Sequence, residues 1–574
     1  MDDLNYPETD GVNVLEWGGE LPWPDWYAFG VYQPLVGANL SALYGQGNVQ
    51  YLPGLAANWT VSPDSMTYTL NLRQGINFSN GDPFNAYQVW AEMYGWYYLS
   101  ANSSGFWQSY TIFNMNTSNF GPATIALLNQ SGAVANPGSQ LLSIEENNTW
   151  PIYVTGPYTI VFHLQAPFLW FLGTLVSYVG LTYDVQFVFE HGGFGAPGSL
   201  NTYFNVNPVP GTGPYTITGV STNAYIIFQQ DPNYWGDSLT PAQIAANPIL
   251  DPGHVKKIIC NYVPDDLARY TDLSTGAAQI VAISSQDWNL VLANPSKYSY
   301  AVLPPWAGFS TDLTLNVNEY PTNITAVRQA IVRAINYTDL ADKSFFGEVT
   351  PTMGPEYPAW SDFYDLGNYT PYQYNLTQAQ DILKNAGINT ASFPTLTFST
   401  ESDCAFCTNA AQVVQADLAL LGINVNIEVE NANTWLSSYG TYSFNVAHAN
   451  QEGQLSLLGG EDWAPSAQTP ADDWVSFVSN ASAWGNFAGY YTPSVQACVN
   501  AMTTNNNLTY IEGLCKIAQG QIYNDAPYGW FGWAKLFDLS GSIVWQTGVI
   551  KSFYLDPVWG GMSTLPLINT VTFG

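Results

Sequence analysis

The chain has 574 residues, with 12 Lys and Arg against 44 Asp and Glu, giving a formal charge of −32 at pH 7. So acidic a surface repels phosphate, and nucleic acid is not an expected partner. Hydrophobic residues at 47% and aromatics at 15%, with 21 Trp and 38 Tyr, exclude a disordered chain, and the length allows two or three lobes. Only 10% of residues are charged, so Asn, Gln, Ser and Thr supply most of the polar surface. Free carboxylates titrate near pH ~4, so strong acid removes most of the charge and leaves few cations to repel one another. We read this as a surface suited to acidic surroundings. An ordinary acidic secreted protein is the plainer alternative.

Residues 12–15 read as a short strand, followed by an aromatic loop, 17–26, that carries Trp23 and Trp26. Rings on a loop either pack beneath it or stack on a ligand. Residues 51–89 then read strand, turn, strand, turn and helix start: Pro63-Asp64 sets a turn, 67–72 alternates apolar and polar, and Asn85-Ala86 opens a helix. The stretch 101–150 has no clear period, 157–164 returns to strand alternation, and 168–176 reads as an apolar helix. Glu190-His-Gly-Gly-Phe-Gly195 has the shape of a lipase oxyanion loop, but the chain has no Gly-x-Ser-x-Gly elbow, and a glycine turn is the better reading. Pro210-Gly-Thr-Gly-Pro-Tyr215 is no phosphate loop either, because Pro214 has no N–H to donate and no Lys-Ser/Thr follows.

Two strands, 216–218 and 225–228, follow as a hairpin. Next come a strand over 255–262, a helix over 265–274 ended at Gly276 and an amphipathic helix over 376–387. Strand 395–398, helix 410–421 and strand 423–429 form a βαβ unit. No apolar run reaches eighteen residues, so neither a membrane span nor a secretory signal is expected, and the opening Met-Asp-Asp fits an intracellular or a trimmed chain.

The cysteines are Cys260, Cys404, Cys407, Cys498 and Cys515. Cys498 and Cys515 lie on two expected helices at similar distances from the turn 503–507, so an antiparallel helix pair would bring them together. Cys404-Ala-Phe-Cys407 has neither a second CxxC nor a nearby His to make zinc, and it reads as a local disulfide or two thiols. Cys260 sits in an apolar run as a buried spare. Disulfides imply an oxidising compartment. Asn-x-Ser/Thr sequons occur at Asn39, Asn58, Asn77, Asn102, Asn116, Asn129, Asn147, Asn323, Asn336, Asn368, Asn375, Asn480 and Asn507. They exceed what this composition produces by chance and support glycosylation on an extracellular face.

Several spaced motifs carry a resemblance. Pro53, Leu55, Ala56, Trp59, Asp64, Tyr68, Thr69, Leu70, Leu72, Arg73, Gly75, Phe78, Gly81, Pro83, Phe84 and Ala86 stand where the family 5 extracellular solute-binding proteins of ABC importers place them. Gly211-Thr-Gly-Pro-Tyr215, Asn233-Tyr-Trp-Gly236, Val327-Arg-Gln-Ala-Ile331 and Asp525-Ala-Pro527 resemble further motifs of the same family. Gln279 stands where the family usually has Asp.

The resemblance implies an α/β clamshell with the periplasmic-binding-protein fold (type II, the large cluster). One lobe would comprise 1–33, 184–261 and 525–574, an extra inserted domain 34–183, and the second lobe 262–524. Solute would sit between the lobes, and the closed form would dock on a membrane permease. Ligand contacts both lobes only when they close, so it favours that state. No cofactor and no metal are implied, no reaction is expected, and the protein is expected to be a monomer. An acidophilic archaeon is the expected source.

Near the family's ligand-reading loop the sequence departs from the peptide-receptor pattern. It has His448-Ala-Asn-Gln-Glu452 and an inserted Gly-rich segment before Glu461-Asp-Trp463. The candidate ligand contacts are Trp23, Trp26, Asn316, Asn450, Glu452, Asp462 and Trp463. In acid a carboxylate anchor loses its charge, which shifts the expectation toward an oligosaccharide held by stacked rings, with an oligopeptide the other choice. A cell-surface structural or adhesion protein on the same fold is the second class of function. A hydrolase is the third, and no HExxH, nucleophile elbow or metal cluster supports it. The acid cluster worth weighing for that chemistry is Asp462 with Glu461 or Glu452.

Overall fold

The computed structural model describes residues 2–3, 12–15, 28–39, 50–99, 113–115, 120–176, 180–196, 199–302, 309–356, 360–402, 404–431, 434–435, 455–462, 470, 474, 486, 488–536, 542–553 and 568–574. Trp23, Trp26, Asn450, Glu452, Trp463 and the sequons Asn102, Asn116 and Asn480 lie outside them. Three sheets organise the chain. The first has seven strands, in the order Tyr215–Ser221, Tyr225–Gln230, Lys257–Tyr262, Asp2–Asp3, Ile280–Ile283, Ser542–Gln546 and Tyr298–Tyr300. The second has six, in the order Val349–Thr350, Tyr528–Ala534, Phe309–Leu315, Leu455–Asp462, Leu396–Glu401 and Val425–Glu430. The third is an antiparallel sheet of four strands, Ala56–Val61, Thr67–Leu72, Thr159–His163 and Ile152–Gly156.

The local chemistry explains most of these elements. Asp64 Oδ1 accepts from the Met66 N–H and the Ser62 hydroxyl, closing the turn that feeds strand Thr67–Leu72, whose residues alternate between half-buried and buried. Asn85 Oδ1 accepts from the Gln88 N–H at 3.1 Å and starts helix Ala86–Leu99, which buries Trp90 and Tyr94 against Trp150. Helix Asp266–Thr275 has Asp265 as N-cap, accepting from the Ala268 N–H at 2.7 Å, and ends on Gly276 at φ 80°. The glycines of Gly211-Thr-Gly213 permit a close approach. A Cβ at Gly211 would stand 2.0 Å from the Val31 carbonyl oxygen, and one at Gly213 would stand 2.5 Å from that of Gly30.

The structure corrects several boundaries. Residues 12–15 form a turn running into a 3-10 segment rather than a strand, and within 168–176 only Phe171–Thr174 is helical. Helix Ala405–Ala419 begins five residues before the expected 410, so the CxxC opens it, at the end of a strand in a βαβ unit. The chain passes from the first of these sheets to the second between Tyr300 and Phe309 and returns between Ala534 and Ser542. Ile280–Ile283 and Tyr528–Ala534 are buried throughout and lie inside their sheets.

The expected antiparallel helix pair is Pro493–Thr504 and Leu508–Asp525, and it brings Cys498 and Cys515 to disulfide distance with 4.7 Å between Cα atoms. Cys404 and Cys407 are also at disulfide distance, and Cys260 is a buried free thiol. Among the described residues no helix is long and apolar enough to cross a membrane.

Candidate functional site

The site follows from strand direction. In the first sheet Asp2–Asp3, Lys257–Tyr262 and Ile280–Ile283 run parallel, so their carboxyl ends lie on one edge. Ser542 pairs with Ile283, so the chain enters strand Ser542–Gln546 at that edge. Strand Tyr298–Tyr300 runs antiparallel to it and leaves from the same edge. In the second sheet Leu396–Glu401 is parallel to both Val425–Glu430 and Leu455–Asp462. Ser310 pairs with both Asp462 and Trp533, so the chain enters strand Phe309–Leu315 and leaves strand Tyr528–Ala534 at the carboxyl edge of those three strands. Both crossovers therefore join carboxyl edge to carboxyl edge. In α/β sheets that edge is where ligands bind.

On the first sheet this edge carries Asp265, Asp266, Ser284, Ser285, Asp287 and Trp288. Asp266 accepts from the Ser284 N–H at 2.9 Å and the Ser284 hydroxyl at 3.0 Å. Asp287 is raised above the ordinary carboxylate range by burial and by the charges of Asp266 and Asp265. Ser285 is 6% exposed, and its hydroxyl has no hydrogen-bond partner among the described residues. Trp288 is fully buried, with its ring edge-on to Tyr300, the last residue before the first crossover. On the second sheet the edge carries Glu401 in register with Glu430, the Cys404–Cys407 pair that opens helix Ala405–Ala419, the backbone of Asp462, and buried Trp533.

The scarce arginines are tied into the scaffold. Arg269 is 1% exposed and donates to the carbonyls of Ala282 and Val263 at 2.6 Å each, besides pairing with Asp266. Arg328 donates to the Asp525 carbonyl at 2.9 Å and the Thr322 carbonyl at 2.8 Å. Arg73 donates to the Gly54 carbonyl and lies over Trp235, and Arg333 donates to the Gln329 carbonyl and lies over Tyr372. The edge is furnished with carboxyls and hydroxyls, and all four arginines are engaged in the scaffold.

Of the residues singled out from sequence, Asp462 comes to this edge, beside Ser310. Asn316 does not. It lies at the opposite end of strand Phe309–Leu315, 4% exposed, with its carboxamide oxygen accepting from the Asn318 N–H at 3.0 Å and its carbonyl from the Thr322 hydroxyl. Sequence reasoning missed Ser284, Ser285, Asp287 and Trp533. The signal was present in Ile280-Val-Ala-Ile283 followed directly by Ser-Ser-Gln-Asp, a buried parallel strand that ends in polar residues.

This is a two-lobed α/β binding-protein fold. The chain belongs to the bacterial extracellular solute-binding proteins, family 5, whose model matches residues 50–481. It is 24% identical over 483 residues to the glutathione-binding protein GsiB of Salmonella typhi, covering 83% of this chain and 79% of that protein. It is 25% identical over 418 residues to the nickel-binding periplasmic protein of Escherichia coli, covering 69% of this chain and 65% of that one. Among solved structures it is similar to the ABC transporter-associated periplasmic binding protein DppA from Helicobacter pylori in complex with the peptide STSA. That match has TM-score 0.67 and 19% identity, over 98% of this chain and 96% of the other. These relatives are solute-binding transport proteins of the extracellular or periplasmic space.

Proposed function

We propose that the protein is an extracellular receptor that captures a short peptide of neutral or positive charge between the carboxyl edges of its two main sheets and delivers it to an ABC permease. The observation that carries this reading is the meeting of both crossovers at those edges, with acids on either side and the arginines engaged in the scaffold. The relatives named for glutathione, nickel and a bound tetrapeptide mark the range of solutes that this fold accommodates. Binding needs no chemistry, so the protein is no enzyme, needs no cofactor, and works as a monomer through lobe closure. The lobe division we favour follows the sheets, with 309–534 as the second lobe.

An oligosaccharide remains the second reading, because amide and hydroxyl groups dominate the polar surface and bind sugars without depending on charge. It rests on Trp23, Trp26 and Trp463, which lie outside the described residues. Exposed sequons support a glycoprotein, above all Asn375 and Asn507, whose side-chain oxygens cap helices and leave the amide nitrogen for a glycan. Buried carboxyls without cation partners support an acidic habitat.

Calorimetric titration at pH 3.5 and 6.5 with Ala-Lys-Ala, glutathione, cellobiose and maltotriose tests the reading. Ala-Lys-Ala is expected to bind at least tenfold more tightly than anionic glutathione at pH 6.5. Sugar binding with no peptide binding would transfer the proposal to the oligosaccharide reading. Silence from all four probes would favour the surface-structural role.

A further inference from the structure

The crossovers 300–309 and 534–542 link the two main sheets, and side chains add a third link well away from them. Trp170 follows the four-stranded sheet in the chain, and its ring packs edge-to-face on two rings of the 309–534 region. The centroids are 6.4 Å from Trp360 at 84° and 5.8 Å from Phe363 at 74°. All three rings are buried, with 8%, 3% and 1% of their surface exposed. On its own side Trp170 is backed by Phe168, whose carbonyl accepts from the Tyr68 hydroxyl at 2.9 Å within the four-stranded sheet.

On the other side, helix Ser361–Tyr364 is fixed to the long helix Leu508–Asp525. The Gln519 side chain is fully buried, donates to the Tyr364 carbonyl at 2.7 Å and accepts from the Leu366 N–H at 2.9 Å. The same long helix starts beside a second touching point, where the Asn506 amide reaches the Asp64 carbonyl at 3.4 Å. One rigid helix thus carries both contacts onto the inserted region, and no chain connection enforces either of them.

We propose that Trp170, Trp360 and Phe363 form an aromatic latch between the inserted region and the second lobe, and that the latch sets how far the empty protein stays closed. A hinge at the crossovers cannot open without pulling Trp170 out from between the two rings. That exposes a large apolar surface and opposes opening. Affinity for solute then depends on residues that never touch it, because the closed fraction scales the apparent dissociation constant. The proposal rests on the receptor reading only for that last consequence.

The test therefore uses the full chain without any solute. Small-angle scattering is compared for the wild type, Trp170→Ala, Trp360→Leu and the double variant, with circular dichroism to establish that each is folded. The open-to-closed ratio is expected to rise at least tenfold in each single variant, and the double variant should add little, because either change empties the same contact. Trp170→Phe should fall in between and keeps the test valid if Trp170→Ala does not fold. Folded variants whose scattering matches the wild type would overturn the latch, whatever the solute screen returns. Additive opening in the double variant would also overturn it.

Discussion

Two regions of this molecule bury ionisable side chains in opposite ways. Between residues 80 and 190, Glu92, Glu145 and Asp184 are at most 1% exposed, and none of them takes part in any of the ion pairs among the described residues. Between 257 and 334, Arg269 and Arg328 are buried too, at 1% and 4% exposed, and both are ringed by carbonyl acceptors. The difference follows from what each group can give up. Arginine cannot lose its proton inside a protein, so the chain must feed it acceptors. A carboxyl can shed its charge by taking a proton, so it tolerates a dry site with few partners. Both oxygens of Glu92 and of Glu145 lack partners among the described residues. The first solution ties stability to pH, and the second does not.

The largest expected effect exploits that contrast. Burial, with Glu146 adding to it, raises the Glu145 carboxyl to about 9, and burial raises Glu92 well above its usual range beside Tyr183. A folded-state value above the unfolded one gives stability that is complete below the unfolded value and is lost as pH rises toward the folded value. Glu145 alone would withdraw about 5 kcal/mol between pH 4.5 and 8, at roughly 1.4 kcal/mol per unit. Denaturant melts at pH 4 and pH 8 should therefore differ by several kcal/mol. Hydrogen exchange should show 80–190 opening first, while helix Asp266–Thr275 stays protected. Equal protection of the two regions at pH 8 would break the comparison.

Next in size is Arg269→Met. It leaves the Ala282 and Val263 carbonyls and Asp266 without their donor, and breaking a buried charge network of this kind costs about 3–4 kcal/mol. Because arginine does not titrate, the loss should be similar at pH 6 and pH 8 in urea melts. A loss that varied strongly with pH over that range would mean that this region, too, depends on protons.

This contrast also shows what could be read in advance. The scaffold was legible because its motifs encode local necessities: the Asp64 turn, the Asn85 cap, and the glycines at 211 and 213 under the 28–34 segment. The four arginines anchor the scaffold mainly through carbonyls rather than carboxylates. The carboxyl edges were hidden because they arise from strand order. Ser285 and Trp533 are 248 residues apart, and nothing local to either predicts that crossovers bring their two edges together. The buried acids were hidden for another reason. Glu92 and Glu145 lie in helices where glutamate is normally solvated, and only tertiary packing buries them.

The smallest effect is the sharpest. Asp184 caps helix Val185–Glu190 through the Phe187 N–H and accepts from Asn80 and Gln88, while the same Asn80 amide also donates to Asp82 at 2.8 Å. Burial, with the neighbouring Asp82 adding to it, raises Asp184 to about 7, so in acid it carries its proton. Asp184→Asn puts an N–H where that proton was and keeps an oxygen for the cap, but it loses one acceptor for the Asn80 amide. At pH 4 the variant should be about 1 kcal/mol less stable than the wild type, the worth of one hydrogen bond. As pH rises, the wild type must give up the Asp184 proton and the variant has none to give up. The two stability curves should therefore converge and cross before pH 8. Parallel curves would mean that the pair holds no proton in the folded state, and the acid-linked half of the comparison would then rest on Glu92 and Glu145 alone.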